Sequence, residues 1–175
     1  LCRGDQTGNP EKGGEVDRNE NTDGKRVILF VCTGNTCRSP MAEIICRSLI
    51  EQDFGPENAE KYDVCSAGLF ACEGGLTSAK AIMAVSEIGY EGVPVPTRPV
   101  TADLLEAAEF VFAMEALHLL AVTRLHPDLK DKVMLLKEES DISDPIGLEL
   151  KGYVTCAKEI ENAIRIRLNQ LLTLP

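Results

Sequence analysis

The segment Arg26–Pro40, RVILFVCTGNTCRSP, limits the fold more than any other part of the chain. A β-prone apolar run, Arg26–Val31, ends at a polar loop, and Pro40 then opens a stretch of helical period. The same alternation of short apolar runs and longer helical segments continues through the sequence, which is the signature of an α/β fold with a parallel sheet. Further strands are expected at Asp63–Ser66, Glu109–Met114 and Lys132–Leu136. Helices are expected at Pro40–Asp53, Thr77–Ile88, Ala102–Ala107, Glu115–Leu125 and Gly152–Leu172. In the last of these, Ile160, Ile164, Leu168 and Leu171 recur at three and four residues, so one stripe faces the core while Lys158, Glu161 and Arg165 face water.

The loop between the first strand and its helix reads Cys32-Thr33-Gly34-Asn35-Thr36-Cys37-Arg38-Ser39, a C-x5-R-S pattern at the sheet edge where open α/β folds bind ligands. Gly34 permits unusual backbone angles, and Asn35 is one of the few other residues that tolerates a left-handed conformation. Successive N–H groups can then point inward and cradle an anion. Ser39 is expected as the N-cap and Pro40 as the first helical residue, so that the positive helix end also faces the loop. Thr33, Gly34, Asn35, Thr36, Cys37 and Ser39 are therefore the expected phosphate-binding residues. Cys32, at the mouth of this cradle, feels the N–H groups, the helix end and Arg38, which together favour the thiolate. A thiolate there can attack phosphorus while the planar Arg38 guanidinium matches the equatorial oxygens, and the Ser39 hydroxyl is close enough in such a loop to stabilise the thiolate, both before attack and as it leaves. Such chemistry needs a carboxylic acid from another loop at the same edge, to protonate the leaving group and then activate water. The run Glu138–Gly147 supplies Asp144, fixed by Pro145, with Asp141 as the alternative.

Composition narrows the partners. Lys plus Arg number 18 and Asp plus Glu 28, so the net charge of −10 repels phosphate backbones and anionic lipid, and neither nucleic acid nor membrane is an expected partner. No apolar run reaches the length of a spanning helix, and the chain reads as soluble and cytoplasmic. Seven cysteines, an odd number with several inside apolar segments, fit reduced thiols better than a disulfide scaffold. A chain of 175 residues supports one globular domain, placed at 25–175. Residues 1–24 are charged, rich in glycine and almost free of apolar side chains, so they read as a disordered tail or linker. The start at Leu1 instead of Met suggests a removed segment or an N-terminal fused domain in a longer protein.

Five motifs, Ile28–Cys32, Cys32–Glu43, Ser66–Gly68, Ala113–Glu115 and Asp144–Pro145, together resemble the low-molecular-weight protein tyrosine phosphatase family over residues 26–172. The resemblance implies a doubly wound four-stranded parallel sheet flanked by helices, no cofactor or metal, and a phosphocysteine mechanism acting on a phosphorylated protein. Thr36, Ser66–Ala71 and Asp141–Pro145 are similar to the arginine phosphatase branch of that family. Tyrosine-specific members usually carry a larger aliphatic residue at the place of Thr36 and paired aromatic residues after the Asp-Pro, where this chain has Ile146 and Gly147. Thr36 and Ile146 are thus the expected selectivity residues, with phosphoarginine as substrate and phosphotyrosine as the alternative. The supporting histidine of many tyrosine enzymes is absent, with Ile88 before Gly89 at the nearest position.

Other cysteines admit other readings. Cys37 is either a packed thiol or a redox partner that protects Cys32 by a reversible disulfide, and no second pair at ligand spacing makes it a zinc site. The spacing of Cys65 and Cys72 resembles the shuttle pair of arsenate reductases on the same fold, a distant alternative, as is a non-catalytic phosphate-binding module. Cys46, Phe112 and Met114 read as core, Cys156 as a helix position, His118 and His126 as surface, and Glu138-Glu139 as a solvated loop.

Overall fold

The protein's structure, a computed structural model, describes residues 24–172. The tail expected over 1–24 lies, except for Gly24, outside them. Four parallel strands form one sheet in the order β2-β1-β3-β4. They are β1 (Arg26–Cys32), β2 (Tyr62–Gly68), β3 (Ala108–Ala113) and β4 (Val133–Leu135).

Period-two alternation splits β1 between two cores. Ile28, Phe30 and Cys32 face α1 (Arg38–Phe54), α3 (Ala79–Glu87) and α6 (Leu150–Leu172). Val27, Leu29 and Val31 face α4 (Ala102–Ala107) and α5 (Ala116–Leu125). Because β1 is buried on both faces it has no polar position between Val27 and Val31, and this is why it reads as an uninterrupted apolar run. Phe30 and Phe112 stack across the β1–β3 pair with ring centroids 5.8 Å apart. The strand order reverses direction between β1 and β3, and at such a switch point the loops after the two strands diverge and leave a crevice at the carboxyl edge.

The expected α/β, doubly wound sheet is the one observed, and its strands and five helices fall within a few residues of their expected bounds. The differences have local causes. A short helix α2 (Pro56–Lys61) follows Gly55, whose φ of 86° ends α1; it buries no residue, so no apolar period reveals it. Lys132 ends a 3-10 turn, Pro127–Lys132, instead of opening the fourth strand, and its Nζ donates to the carbonyls of Glu106 and Ala108. Helix α3 starts at Ala79 instead of Thr77, because the Thr77 hydroxyl donates to the Val95 carbonyl at 2.7 Å and accepts from the Val95 N–H at 3.0 Å.

Candidate active site

The loop Cys32–Ser39 sits at the switch point, between the end of β1 and the start of α1. Its carbonyls are held outward by the β2–α3 connection. Leu69 N donates to Cys32 O at 3.0 Å, Phe70 N to Thr33 O at 2.8 Å and Ser78 N to Thr36 O at 2.8 Å. With the carbonyls committed outward, the intervening peptide planes turn their N–H groups toward the concave side, and Asn35 N points to Cys32 Sγ at 3.2 Å. Asn35 makes the reversal possible with φ 53°, a left-handed conformation open to few residues besides glycine. Gly68 is required beside it, since a Cβ there would come within 2.7 Å of Asn35 N.

The Asn35 side chain is fully buried and ties the loop to β2 and to the connection that carries Arg98. Its Nδ2 donates to Ser39 Oγ and to Ser66 Oγ, both at 2.9 Å, and its Oδ1 accepts from Arg98 N at 2.9 Å. Ser66 Oγ in turn donates to Glu43 Oε2 at 2.6 Å. Burial raises the pKa of the Glu43 carboxyl, against the hydrogen bond from Ser66 and the charge of Arg47, whose Nη2 lies 2.9 Å away. Ser66, Glu43 and Arg98 escaped the sequence reading as supports of the loop. They lie on β2, on the buried face of α1 and in a connection, and only the fold brings them together.

Ser39 is not the helix cap that its position suggested. Helix α1 begins at Arg38, its cap residue Cys37 makes no side-chain capping bond, and Pro40 is the third helical residue instead of the first. The Ser39 hydroxyl lies 3.0 Å from Cys32 Sγ, the proximity that the loop sequence leads one to expect. Cys37 Sγ is turned to the Tyr153 hydroxyl of α6, to which it donates at 3.7 Å, and lies 3.6 Å from Thr36 Oγ1. Cys32 and Cys37 are both thiols. Among the other buried thiols, burial pushes the pKa of Cys65 and of Cys156 up to about 12, and that of Cys46 up as well.

Arg38 is 2% exposed and held by three acceptors. Nη1 donates to a Glu115 carboxylate oxygen and, at 3.2 Å, to Ile142 O; Nη2 donates to Asp144 Oδ2 at 2.6 Å. Glu115 follows β3 and Asp144 follows β4, so the loops after both strands converge on one guanidinium. Asp141 is oriented elsewhere: its Oδ1 accepts from Ala116 N at 2.8 Å, at the start of α5. Ile142 N donates to Met114 O at 2.8 Å and fixes the loop that carries Asp144. Asp144 Oδ1 accepts from Ile146 N at 3.1 Å, which turns the Ile146 side chain out; it is 68% exposed.

His118 is not the surface residue that was expected. It shares the buried stripe of α5 with Val122, four residues on, and is 3% exposed. Its Nε2 lies 2.8 Å from Thr33 Oγ1. His126 is half-buried at the end of α5, and Glu138 and Glu139 are exposed. Among the described residues no helix is long and apolar enough to cross a membrane, and no three His, Cys, Asp or Glu side chains cluster as metal ligands would.

A thiol held in a phosphate-shaped cradle at the switch point of a parallel sheet places this chain among the cysteine-dependent phosphatases. It belongs to the low molecular weight phosphotyrosine protein phosphatase family, whose sequence model matches residues 27–173. It is 35% identical to a protein-arginine-phosphatase of Bacillus subtilis over 149 residues, 82% of this chain and 95% of that protein. It is 32% identical to a low molecular weight protein-tyrosine-phosphatase of Streptomyces coelicolor, over 78% of this chain and 87% of the other. Its fold superposes on a Cys-to-Ser mutant of the YwlE arginine phosphatase that carries a phosphorylated active-site serine, with a TM-score of 0.77 and 33% identity over 84% of this chain and 96% of that one.

Proposed function

We propose that this chain hydrolyses phosphoarginine in proteins through a phosphocysteine on Cys32. The observation that carries the reading is Thr36, a short polar residue in the cradle, together with the exposed aliphatic Ile146 and then Gly147 after Asp144-Pro145, where no aromatic ring stands to stack a phenyl group. The relation to the Bacillus subtilis arginine phosphatase supports it.

In this mechanism the Cys32 thiolate attacks phosphorus and the phosphorus–nitrogen bond to the arginine guanidinium breaks. Asp144, as the carboxylic acid, protonates the departing nitrogen. Water then attacks the phosphocysteine, Asp144 takes its proton, and the thiolate leaves with the Ser39 hydroxyl, 3.0 Å away, as donor. The loop N–H groups of Thr33 to Ser39 and the Arg38 guanidinium hold the phosphoryl oxygens throughout. Asp144 Oδ2 now occupies Arg38 Nη2, so an arriving phosphoryl oxygen takes that place and releases the carboxyl for proton transfer. Glu115 stays behind to orient the guanidinium. A reducing compartment, the cytoplasm, belongs to this reading because it keeps the Cys32 and Cys37 thiols available. Under oxidation Cys37 would serve as the partner of Cys32 in a protective disulfide.

The test compares phosphoarginine and phosphotyrosine peptides on the wild type and on Thr36→Ile. The wild type is expected to favour phosphoarginine, and the added bulk to move the kcat/KM ratio toward phosphotyrosine by about 10- to 200-fold. A wild type that prefers phosphotyrosine, with the ratio unmoved by the substitution, would overturn the substrate assignment.

A further inference from the structure

His118 has no part in the chemistry above, yet it touches the loop. It lies on the first turn of α5, and its Nε2 is 2.8 Å from the hydroxyl of Thr33, the residue that follows Cys32. Its other ring nitrogen, Nδ1, is buried without a hydrogen-bond partner among the described residues. These two facts select a tautomer. A proton on Nδ1 would leave a buried N–H with no acceptor, whereas a proton on Nε2 leaves only an unused lone pair and gives Thr33 Oγ1 a donor. Orphaned donors are the rarer and costlier defect. The Glu115 carboxylate, 3.9 Å from Nε2, also suits an N–H there and not a lone pair.

The Thr33 oxygen then accepts from His118, and its own proton is left for another acceptor. Thr33 is an exposed residue of the loop, so that acceptor can come from solvent. We propose that His118 is a positioning residue: as the neutral Nε2–H tautomer it fixes the Thr33 hydroxyl as a donor to the phosphorylated group that enters the loop. The proposal rests on Cys32–Ser39 being the phosphate-binding loop. Failure of that premise would show separately, as a Cys32→Ser variant that binds no inorganic phosphate in calorimetric titration.

Protonation of His118 works against the arrangement. It adds an N–H at buried Nδ1, where no acceptor waits, and a positive charge near Arg38. Burial, with the Arg38 charge, lowers the His118 pKa, while Glu115, Asp141 and Asp144 oppose them. An imidazolium would also draw on Glu115, the carboxylate that orients Arg38.

The experiment measures kcat/KM against pH for the wild type, His118→Gln, His118→Phe, Thr33→Val and the His118→Phe/Thr33→Val double variant, with thermal midpoints alongside. His118→Phe is expected to lose about tenfold, the worth of one well-made hydrogen bond. His118→Gln, whose amide can reach the place of Nε2, should recover to within about threefold of the wild type by the same measure. The double variant should be no worse than Thr33→Val alone, since the two act through one bond. The part of the wild type's acid-side fall due to His118 should vanish in His118→Gln. The proposal is overturned by a wild-type rate in His118→Phe, by losses that multiply in the double variant, or by a His118→Gln profile with an unchanged acid limb. If His118→Phe does not fold, the pH profile of His118→Gln and its cycle with Thr33→Val decide the matter in the same terms.

Discussion

The loop Cys32–Ser39 is held mainly by uncharged, buried groups: Asn35, Ser39, Ser66 and backbone amides supply most of its hydrogen bonds. The Arg38 side is held by charge, from two carboxylates that remain partly open to solvent, Glu115 at 23% and Asp144 at 37%. The difference matches what each half would have to do in the proposed mechanism. A cradle for an anion must keep its shape whether or not the anion is present, and buried neutral hydrogen bonds give a fixed geometry that salt does not screen. In the proposed mechanism the proton donor has to let go of its partner during the cycle, and a half-exposed ion pair would be weak enough to exchange Asp144 for a phosphoryl oxygen. Glu115 reaches Arg38 from 77 residues away and Asp144 from 106, so this half also depends on the whole sheet being assembled.

Four substitutions break or sharpen this contrast. The largest effect is expected from Cys32→Ser, which should lose turnover by on the order of 10⁴-fold or more while still binding inorganic phosphate, because the loop's N–H groups and Arg38 are untouched. Calorimetric titration with phosphate reads both halves of that statement, and appreciable residual turnover would sink the nucleophile assignment. Asp144→Asn comes next. It keeps the shape and removes the proton, so kcat should fall about 10²- to 10⁴-fold with good leaving groups suffering least. A uniform loss across leaving groups would show that Asp144 only positions Arg38.

Asn35→Ala strikes the other half. It strands Arg98 N and removes the donor to Ser39 and Ser66, and each buried group left unpaired costs about 1–3 kcal/mol, so it should lower the thermal midpoint as well as activity. Asp144→Asn should leave the midpoint almost unmoved. Equal effects of the two on stability would erase the distinction between a structural cradle and an exchangeable wall.

Glu43→Gln is the mildest. The folded-state pKa of Glu43 is raised by burial, so the carboxyl contributes stability that is fully present below its unfolded value and is lost as pH rises through the raised folded value. Glutamine can still accept from Ser66, so the midpoint difference between variant and wild type should move toward the variant as pH rises from about 4 to 7. A difference that is flat across that window would place the Glu43 charge outside the energetics of the cradle.

Legibility in the sequence divides along the same line. Cys32, Arg38, Gly34 and Asn35 lie within seven consecutive residues, so strand, turn and helix propensities place them with respect to one another before any tertiary contact forms. Asp144 is singled out in the sequence by the chemistry such a site would need and by Pro145 beside it, and the structure brings its carboxylate to Arg38. Glu115 stood in the Ala113–Glu115 motif, but nothing local says that its carboxylate reaches Arg38. His118 was misread because its helix exposes Leu117, Leu120 and Leu125, while the histidine shares the inward stripe with Val122. Apolar character alone points the wrong way there; the polar residue is buried because a polar loop lies against it.

The C-x5-R-S loop that most constrains this sequence determines the fold class, the nucleophile candidate and the anion it suits, because those follow from short-range backbone preferences and from residue chemistry. Which carboxylates hold Arg38 is decided only when β3 and β4 join β1 in the sheet. The same assembly brings His118 against Thr33. Hydrogen bonds between residues tens of positions apart have no local signature, and the contacts that win are those the packed sheet brings within 3 Å or so.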